Sequence, residues 1–293
     1  MKEVEVASHL ALLALFEGGS EFWSSEFLEF GAEQLVARIA CGQYSDYKKS
    51  GSKLPAALAA IDRGTLIDQL DAVGAFLVTR SDSDWPARLD DLKAPPFALI
   101  CRGSRATLTG LQRSISIVGT RNPSEYGVRV AGDFAAGVVD RGWSVVSGGA
   151  FGIDSASHRG AIIAEGQTIA ILGCGVNSVF PSGNDRLFHE IIENGLLVSE
   201  VLPSVHAIPA RFLIRNRLIA AISCATVVVE AAFRSGSLRT ARDAAEIFRP
   251  VFAVPGPINS PTSDGCHRLI GERSAEIVTS VADLMELVSP LVD

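Results

Sequence analysis

The chain has 293 residues, 47% hydrophobic and 20% charged, with a formal net charge of −7; this fits one large folded domain with a smaller companion and leaves little room for a disordered tail. Apolar runs such as residues 169–172 and 225–229 stop far short of the roughly 18 residues a membrane span needs, and the acidic start Met1-Lys2-Glu3-Val4-Glu5 lacks a cleavage-site pattern, so a cytoplasmic protein with no membrane partner is expected. The excess of acid argues against a wholesale electrostatic binder of nucleic acid, and five widely spaced cysteines (Cys41, Cys101, Cys174, Cys224, Cys266) without a C-x-x-C pair argue against a disulfide frame or a zinc site.

Residues 1–72 have helical texture. Leu10, Leu12, Leu13, Leu15 and Phe16, then Phe27, Leu28, Leu35 and Ile39, then Leu54, Leu58, Ile61, Leu66 and Leu70 recur mostly at three-to-four-residue steps. They predict a small helical domain, with polar Lys48-Lys49-Ser50-Gly51-Ser52-Lys53 as a flexible connection inside it. Over residues 73–293 the texture changes to short β-branched runs separated by glycine-rich turns and helical stretches. Strands are predicted at residues 75–78, 98–101, 114–118, 144–146, 168–172, 197–198, 225–229, 251–254 and 276–278. Strands alternating with helices imply an α/β fold with a doubly wound, mostly parallel sheet covered on both faces.

Four turns share one design, a buried strand running into small residues and then into a helix. They are Val118-Gly119-Thr120-Arg121, Ser147-Gly148-Gly149-Ala150-Phe151-Gly152, Leu172-Gly173-Cys174-Gly175, and Val229-Glu230 followed by Arg234-Ser235-Gly236-Ser237. In such sheets the loops after the strands' carboxyl ends gather along one edge, and ligands bind where strand order reverses. The turns predict a crevice where glycine N–H groups and helix starts meet an anion.

A helix start contributes about 0.3–1 kcal/mol toward an anion, whereas micromolar binding needs about 8 kcal/mol. Charge-assisted hydrogen bonds supply about 1.5–3 kcal/mol each, so arginines have to take part. Residues 205–250 carry Arg211, Arg215, Arg217, Arg234, Arg239, Arg242 and Arg249 against only Glu230, Asp243 and Glu246, a positive patch on an acidic body. Within it, Phe212, Arg215, Asn216 and Arg217 are expected to hold neighbouring phosphates and a base, as single-strand binders do. The alternative is a helix start whose arginines are solvated or paired with acids.

Val118-Gly119-Thr120-Arg121 with Ser124 and Gly127, then Ser147-Gly148-x-Ala150-x-Gly152-Ile153-Asp154 with His158, Ser199-Glu200, Arg215-Asn216-Arg217, Val229-Glu230-Ala231, Ser235-Gly236-Ser237-Leu238-x-Thr240-Ala241 and Ala253-Val254-Pro255-Gly256 stand in one order. Together with Asp84-Trp85-Pro86 and Pro95-Pro96, this order resembles the DprA/Smf family over about residues 83–288. The resemblance implies an extended Rossmann-like domain behind a small helical, SAM-like domain. It further implies sequence-independent binding of single-stranded DNA, delivery to the RecA recombinase in natural transformation, a homodimer, and neither catalytic turnover nor a cofactor. By the same mapping the DNA faces Arg121, the 148–152 loop and residues 215–217, with Ser235, Gly236 and Ser237 lining the crevice, while Asp154 and His158 orient the glycine loop.

Several positions depart from the family pattern: Leu213 stands for a proline, Phe180 for a tyrosine, Ser182 for a basic residue, and Arg273-Ser274-Ala275 for a closing Gly-Ala. With the chain ending at Asp293, no winged-helix tail is expected. Two alternatives use the same crevice. One is a nucleoside-monophosphate phosphoribohydrolase-like enzyme with Glu230 as acid and residues 235–240 as phosphate loop; the other is a nucleotide-sensing module.

Overall fold

The computed structural model describes residues 3–48 and 50–292, so Met1, Lys2, Lys49 and Asp293 lie outside the described residues. Four helices come first: α1 (Glu3–Leu15), α2 (Glu21–Ala40), α3 (Leu54–Ala59) and α4 (Arg63–Ala72). The side chains of Ser20 and Asp62 cap α2 and α4 by accepting from backbone N–H groups. Helix α2 spans the predicted group Phe27, Leu28, Leu35 and Ile39 and is kinked at Gly31, at φ 72°, in the gap between Leu28 and Leu35. The connection expected to be flexible is tied down at Gly51, which is buried so closely on the Tyr44 carbonyl that a Cβ would overlap it.

Then follow β1 (Ala75–Val78), β2 (Leu99–Gly103), β3 (Ser114–Val118), α5 (Glu125–Val139), β4 (Ser144–Ser147), α6 (Ile153–Ile163) and β5 (Thr168–Leu172). The chain continues through α7 (Asp185–Asn194), β6 (Leu196–Ser199), α8 (Pro209–Ile222), β7 (Ala225–Val228), α9 (Ser237–Glu246), β8 (Val251–Ala253), α10 (Asp264–Gly271), β9 (Glu276–Ile277) and α11 (Val281–Val288). Among the described residues the strands form one sheet in the order β1-β2-β6-β5-β4-β3-β7-β8-β9. It is parallel from β6 to β9, while β2 runs antiparallel to both β1 and β6.

Both faces of the interior strands β3 to β8 are buried, as the β-branched runs require, whereas edge strand β9 is exposed. In β5, Ile169 and Ile171 enter the cluster formed with α8 and α9, while Ala170 and Leu172 enter the one formed with the N-terminal helices and α7. Ile115 and Ile117 of β3 pack in a third cluster with Phe134 and Val138 of α5 and Leu284 of α11. The N-terminal helices have no separate core, because Leu10, Leu35 and Ile39 share a cluster with Phe97, Ile100 and Leu197. Cys101, Cys174, Cys224 and Cys266 are buried as free thiols, and Cys41 is exposed.

The chain order reverses at β3, which has β4 on one side and β7 on the other. The loops leaving the carboxyl ends of β3 and β7 therefore diverge and leave an opening between them.

Candidate nucleic-acid interface

A crevice of about 710 Å³ lies at that reversal point. Its walls include Gly119, Thr120 and Arg121 after β3, Ala150 and Asp154 after β4, Phe180 after β5, Ala232 and residues 234–237 after β7, and Phe212, Arg215 and Asn216 of α8. Of the residues predicted to meet DNA, Gly119, Thr120, Arg121, Phe212, Arg215, Asn216, Ser235, Gly236 and Ser237 are brought together here.

The loop after β3 is held from below. Thr120 donates its N–H to the Glu230 carbonyl at 2.7 Å, and its own carbonyl accepts from Ile153 at 3.1 Å. Arg121 stays exposed at the rim, and its guanidinium lies 5.4 Å from the Phe212 ring centroid. Phe180, 44% exposed, stands 5.6 Å from Phe212. The rim thus presents a cation beside two aromatic rings.

Arg215 differs from the expectation. It is buried at the crevice floor, and one guanidinium nitrogen donates to the carbonyls of Gly148, at 3.0 Å, and Ile171. Burial lowers its pKa to about 10, leaving it charged at neutral pH beside buried Asp154, whose own pKa burial raises against the opposing pull of that charge. Asp154 accepts from the Gly148 and Ala150 N–H groups at 3.1 and 3.4 Å. The glycine loop was expected to offer these N–H groups to a ligand, and instead they cap this carboxylate. Gly148 is a glycine because a Cβ would overlap the Arg215 guanidinium.

The rest of that loop is also engaged inside the protein. Ser147 is fully buried and donates to the Ile117 carbonyl at 2.6 Å; the Gly149 carbonyl accepts from Asn184 at 3.0 Å; Gly152, at φ +85°, lies against the Thr120 carbonyl. Phe151 is the exception, 47% exposed and resting on Gly183 outside the crevice lining. His158 is fully buried, with its Nδ1 2.7 Å from Thr168 Oγ1, and burial holds its pKa down to about 3. The third turn does not join the crevice or open a helix directly. Gly173 packs on Phe212 and Gly175 on the Pro203 carbonyl, and α7 starts only at Asp185.

Arg217 leaves the crevice altogether. Its guanidinium pairs at 2.5 Å with Glu200, whose side chain is only 8% exposed and packs against Gly18 of the α1–α2 turn. Burial raises the Glu200 pKa, and the Arg217 charge opposes the rise. Arg211 likewise pairs with Glu17 of the same turn, at 2.9 Å through Nε. The expected shared rim of Arg121, Arg215 and Arg217 is therefore corrected. Residues two apart in a helix point to opposite sides, so once residues 209–222 are helical, Arg215 and Arg217 cannot hold neighbouring phosphates together.

Glu230 is 2% exposed and accepts from the Ser124 N–H at 2.9 Å, Ser124 Oγ at 2.6 Å and Thr262 Oγ1 at 3.0 Å. It joins the loops after β3 and β8 and is not presented to the crevice as an acid.

The family model described as DNA recombination-mediator protein A matches residues 76–289. The chain belongs to this family. A putative DNA processing protein DprA of Mycobacterium tuberculosis (strain CDC 1551 / Oshkosh) is 42% identical over 226 residues, covering 73% of this chain but 58% of the relative. The chain thus spans less than two thirds of that relative's length. Among solved structures, DprA from Streptococcus pneumoniae superposes with a TM-score of 0.82 at 30% identity, covering 98% of each chain. DNA processing protein A from Helicobacter pylori, described for its single-stranded DNA binding mode, superposes with a TM-score of 0.66 at 28% identity, covering 74% of this chain and 96% of the other. The DprA fold is the Rossmann-like α/β arrangement expected from the strand and helix pattern.

Phe180 and Arg234 are among the crevice residues absent from the predicted set. Phe180 was noted only as a departure from Tyr-Pro, although an aromatic in a loop after a buried strand marked it. Arg234 belongs to the fourth turn and to the positive patch in the sequence but is missing from the residues expected to meet DNA, although it directly precedes Ser235.

Proposed function

We propose that the chain binds single-stranded DNA without sequence preference at the crevice rim and hands it to the RecA recombinase, acting as a cytoplasmic homodimer in recombination and natural transformation. Residues 73–293 form the DNA-binding body, and residues 1–72 brace it. One observation carries the reading: exposed Arg121, with no carboxylate partner among the described residues, lies over Phe212 beside Phe180. A cation that meets phosphate next to rings that stack any base is the combination sequence-blind strand binders use. Arg234, exposed on the crevice wall, supplies a second guanidinium.

Two charge-assisted contacts at about 1.5–3 kcal/mol each and two stacked bases at about 1–3 kcal/mol each add to a gross 5–12 kcal/mol. That range brackets the roughly 8 kcal/mol of micromolar binding, which the two guanidiniums alone do not reach. The named relative from Helicobacter pylori supports the choice of strand, and the hydrogen bonds that occupy Glu230 weigh against N-glycosidic hydrolysis.

The test is a titration of oligo(dT) and of duplex DNA of equal length at two salt concentrations. The single strand binds more tightly, and log K falls against log salt by about 0.7 per phosphate neutralised. Equal affinity for duplex, or release of adenine from AMP, overturns the reading. Faster RecA filament assembly on strand carrying the protein, and a dimer mass in solution, test the two partner assignments.

A further inference from the structure

The loop after β7 carries an aromatic ring that the crevice does not use. Ala232 and Arg234 line the crevice, whereas Phe233 between them is outside the lining and 55% exposed. The Arg268 guanidinium of α10 lies 4.8 Å from the Phe233 ring centroid. The same Arg-over-Phe arrangement that marks the rim at Arg121 and Phe212 is repeated here, one loop further along.

We propose that a single strand seated in the crevice continues past Arg234 onto Phe233, where the exposed ring stacks a further base outside the crevice. This inference rests on the crevice reading above and extends its footprint. Three features carry it. The first is continuity, because both chain neighbours of Phe233 belong to the crevice wall. The second is the order of the loops along the sheet's carboxyl edge: Phe180 follows β5, Arg121 follows β3, Arg234 and Phe233 follow β7, and α10 follows β8. From β5 to β8 there are four strand spacings, about 19 Å at about 4.8 Å each, so the strands whose loops carry these rings and cations are spread along one edge.

The third feature is charge. Arg234 is exposed and has no carboxylate partner among the described residues, so it is available to a phosphate between the two platforms. Arg268 is matched by Glu272 at 2.6 Å and 38% exposed. Its guanidinium therefore supports the ring and leaves little net charge for a phosphate. The platform acts by stacking, and stacking releases no counterions.

The experiment measures the affinity of the full chain for oligo(dT) of increasing length, from about four nucleotides, the low end of single-strand sites, to several times that. Wild type, Phe233→Ala, Phe233→Trp and Arg121→Ala are compared. Phe233→Ala is expected to weaken long oligo(dT) about tenfold and the shortest less than about twofold, because a stacked base contributes about 1–3 kcal/mol. Phe233→Trp restores the long-strand affinity, and the salt slope of Phe233→Ala stays at the wild-type value. Arg121→Ala weakens every length and lowers the slope.

Unchanged long-strand affinity in Phe233→Ala, or equal weakening at all lengths, overturns the second platform while Arg121→Ala still reports on the crevice. Unchanged affinity in Arg121→Ala at every length instead overturns the crevice reading, and the extension falls with it. Because Phe233 is on the surface, its thermal midpoint should match the wild type and keep folding apart from binding.

Discussion

Two regions of this protein treat arginine in opposite ways. The start of α8 holds Arg211, Arg215 and Arg217 within seven residues, and each is engaged by the protein itself: by Glu17, by two buried carbonyls, and by Glu200. The loop after β3 has one arginine, Arg121, and leaves it exposed over an aromatic ring. The density of cations in a sequence therefore says little about the charge available to a partner. What decides is whether the backbone geometry aims each side chain at an acid, at a carbonyl or at water.

The largest test of this contrast removes the internal arginines. Arg215→Ala strips Asp154 of its neighbouring charge and leaves the Gly148 and Ile171 carbonyls without that donor; Arg217→Ala leaves Glu200 buried alone. Each is expected to destabilise the fold by about 3–5 kcal/mol, lowering the melting midpoint by roughly 10 °C. A midpoint within about 2 °C of wild type would place these arginines back among the free cations.

Arg121→Ala should do the reverse. The fold keeps its stability to within about 0.5 kcal/mol, while oligo(dT) affinity drops by about 1.5–3 kcal/mol, tenfold or more, and the salt slope flattens by about 0.7. A loss of affinity at unchanged slope would assign Arg121 to holding the Phe212 ring instead of a phosphate.

Acid sharpens the contrast between interior and rim. His158 is neutral in the folded protein because burial holds its pKa down to about 3, whereas in the unfolded chain it gains a proton below about pH 6.5. Between those values the unfolded state binds more protons. The stability linked to this group is complete above about pH 6.5 and declines as the pH falls toward 3. By pH 5 the loss is about 2 kcal/mol, read as a lower urea midpoint, and His158→Gln should reduce that loss. Equal acid sensitivity in the two proteins would remove His158 as its source.

The smallest effect concerns the cap that supports the rim. Ser124 accepts from the Gly127 N–H at 3.1 Å and donates to Glu230 at 2.6 Å, so Ser124→Ala should cost about 1 kcal/mol, visible in thermal melts. No change would mean that Glu230 is held by its other donors alone.

Much of the fold was legible in the sequence. The nine predicted strands fall within two residues of the observed ends, because a strand buried on both faces is a β-branched run that glycine or charge interrupts at each end, as in Ser114–Val118 and Thr168–Leu172. The alternation of strands and helices implied a doubly wound sheet in which strand order reverses, but not that the reversal falls at β3. The site was less legible. Helical geometry already separated Arg215 from Arg217, but Glu200, which pairs with Arg217, follows β6, and the Ile171 carbonyl that meets Arg215 lies on β5. Their contacts depend on packing that no local pattern carries. The glycine loop misled for a related reason: its glycines leave room for a guanidinium and a carboxylate from within the chain, which reads in sequence like room for a ligand.

The turn between α1 and α2 is fastened to α8 at Glu17 and packs on Glu200, while α8 also carries Phe212 on the crevice wall. Tension on a strand stacked at Phe212 would be transmitted through one rigid rod into the N-terminal helices. On the proposed reading those helices would serve as an anchor block, and loosening either rivet would leave the wall free to yield when the DNA is pulled.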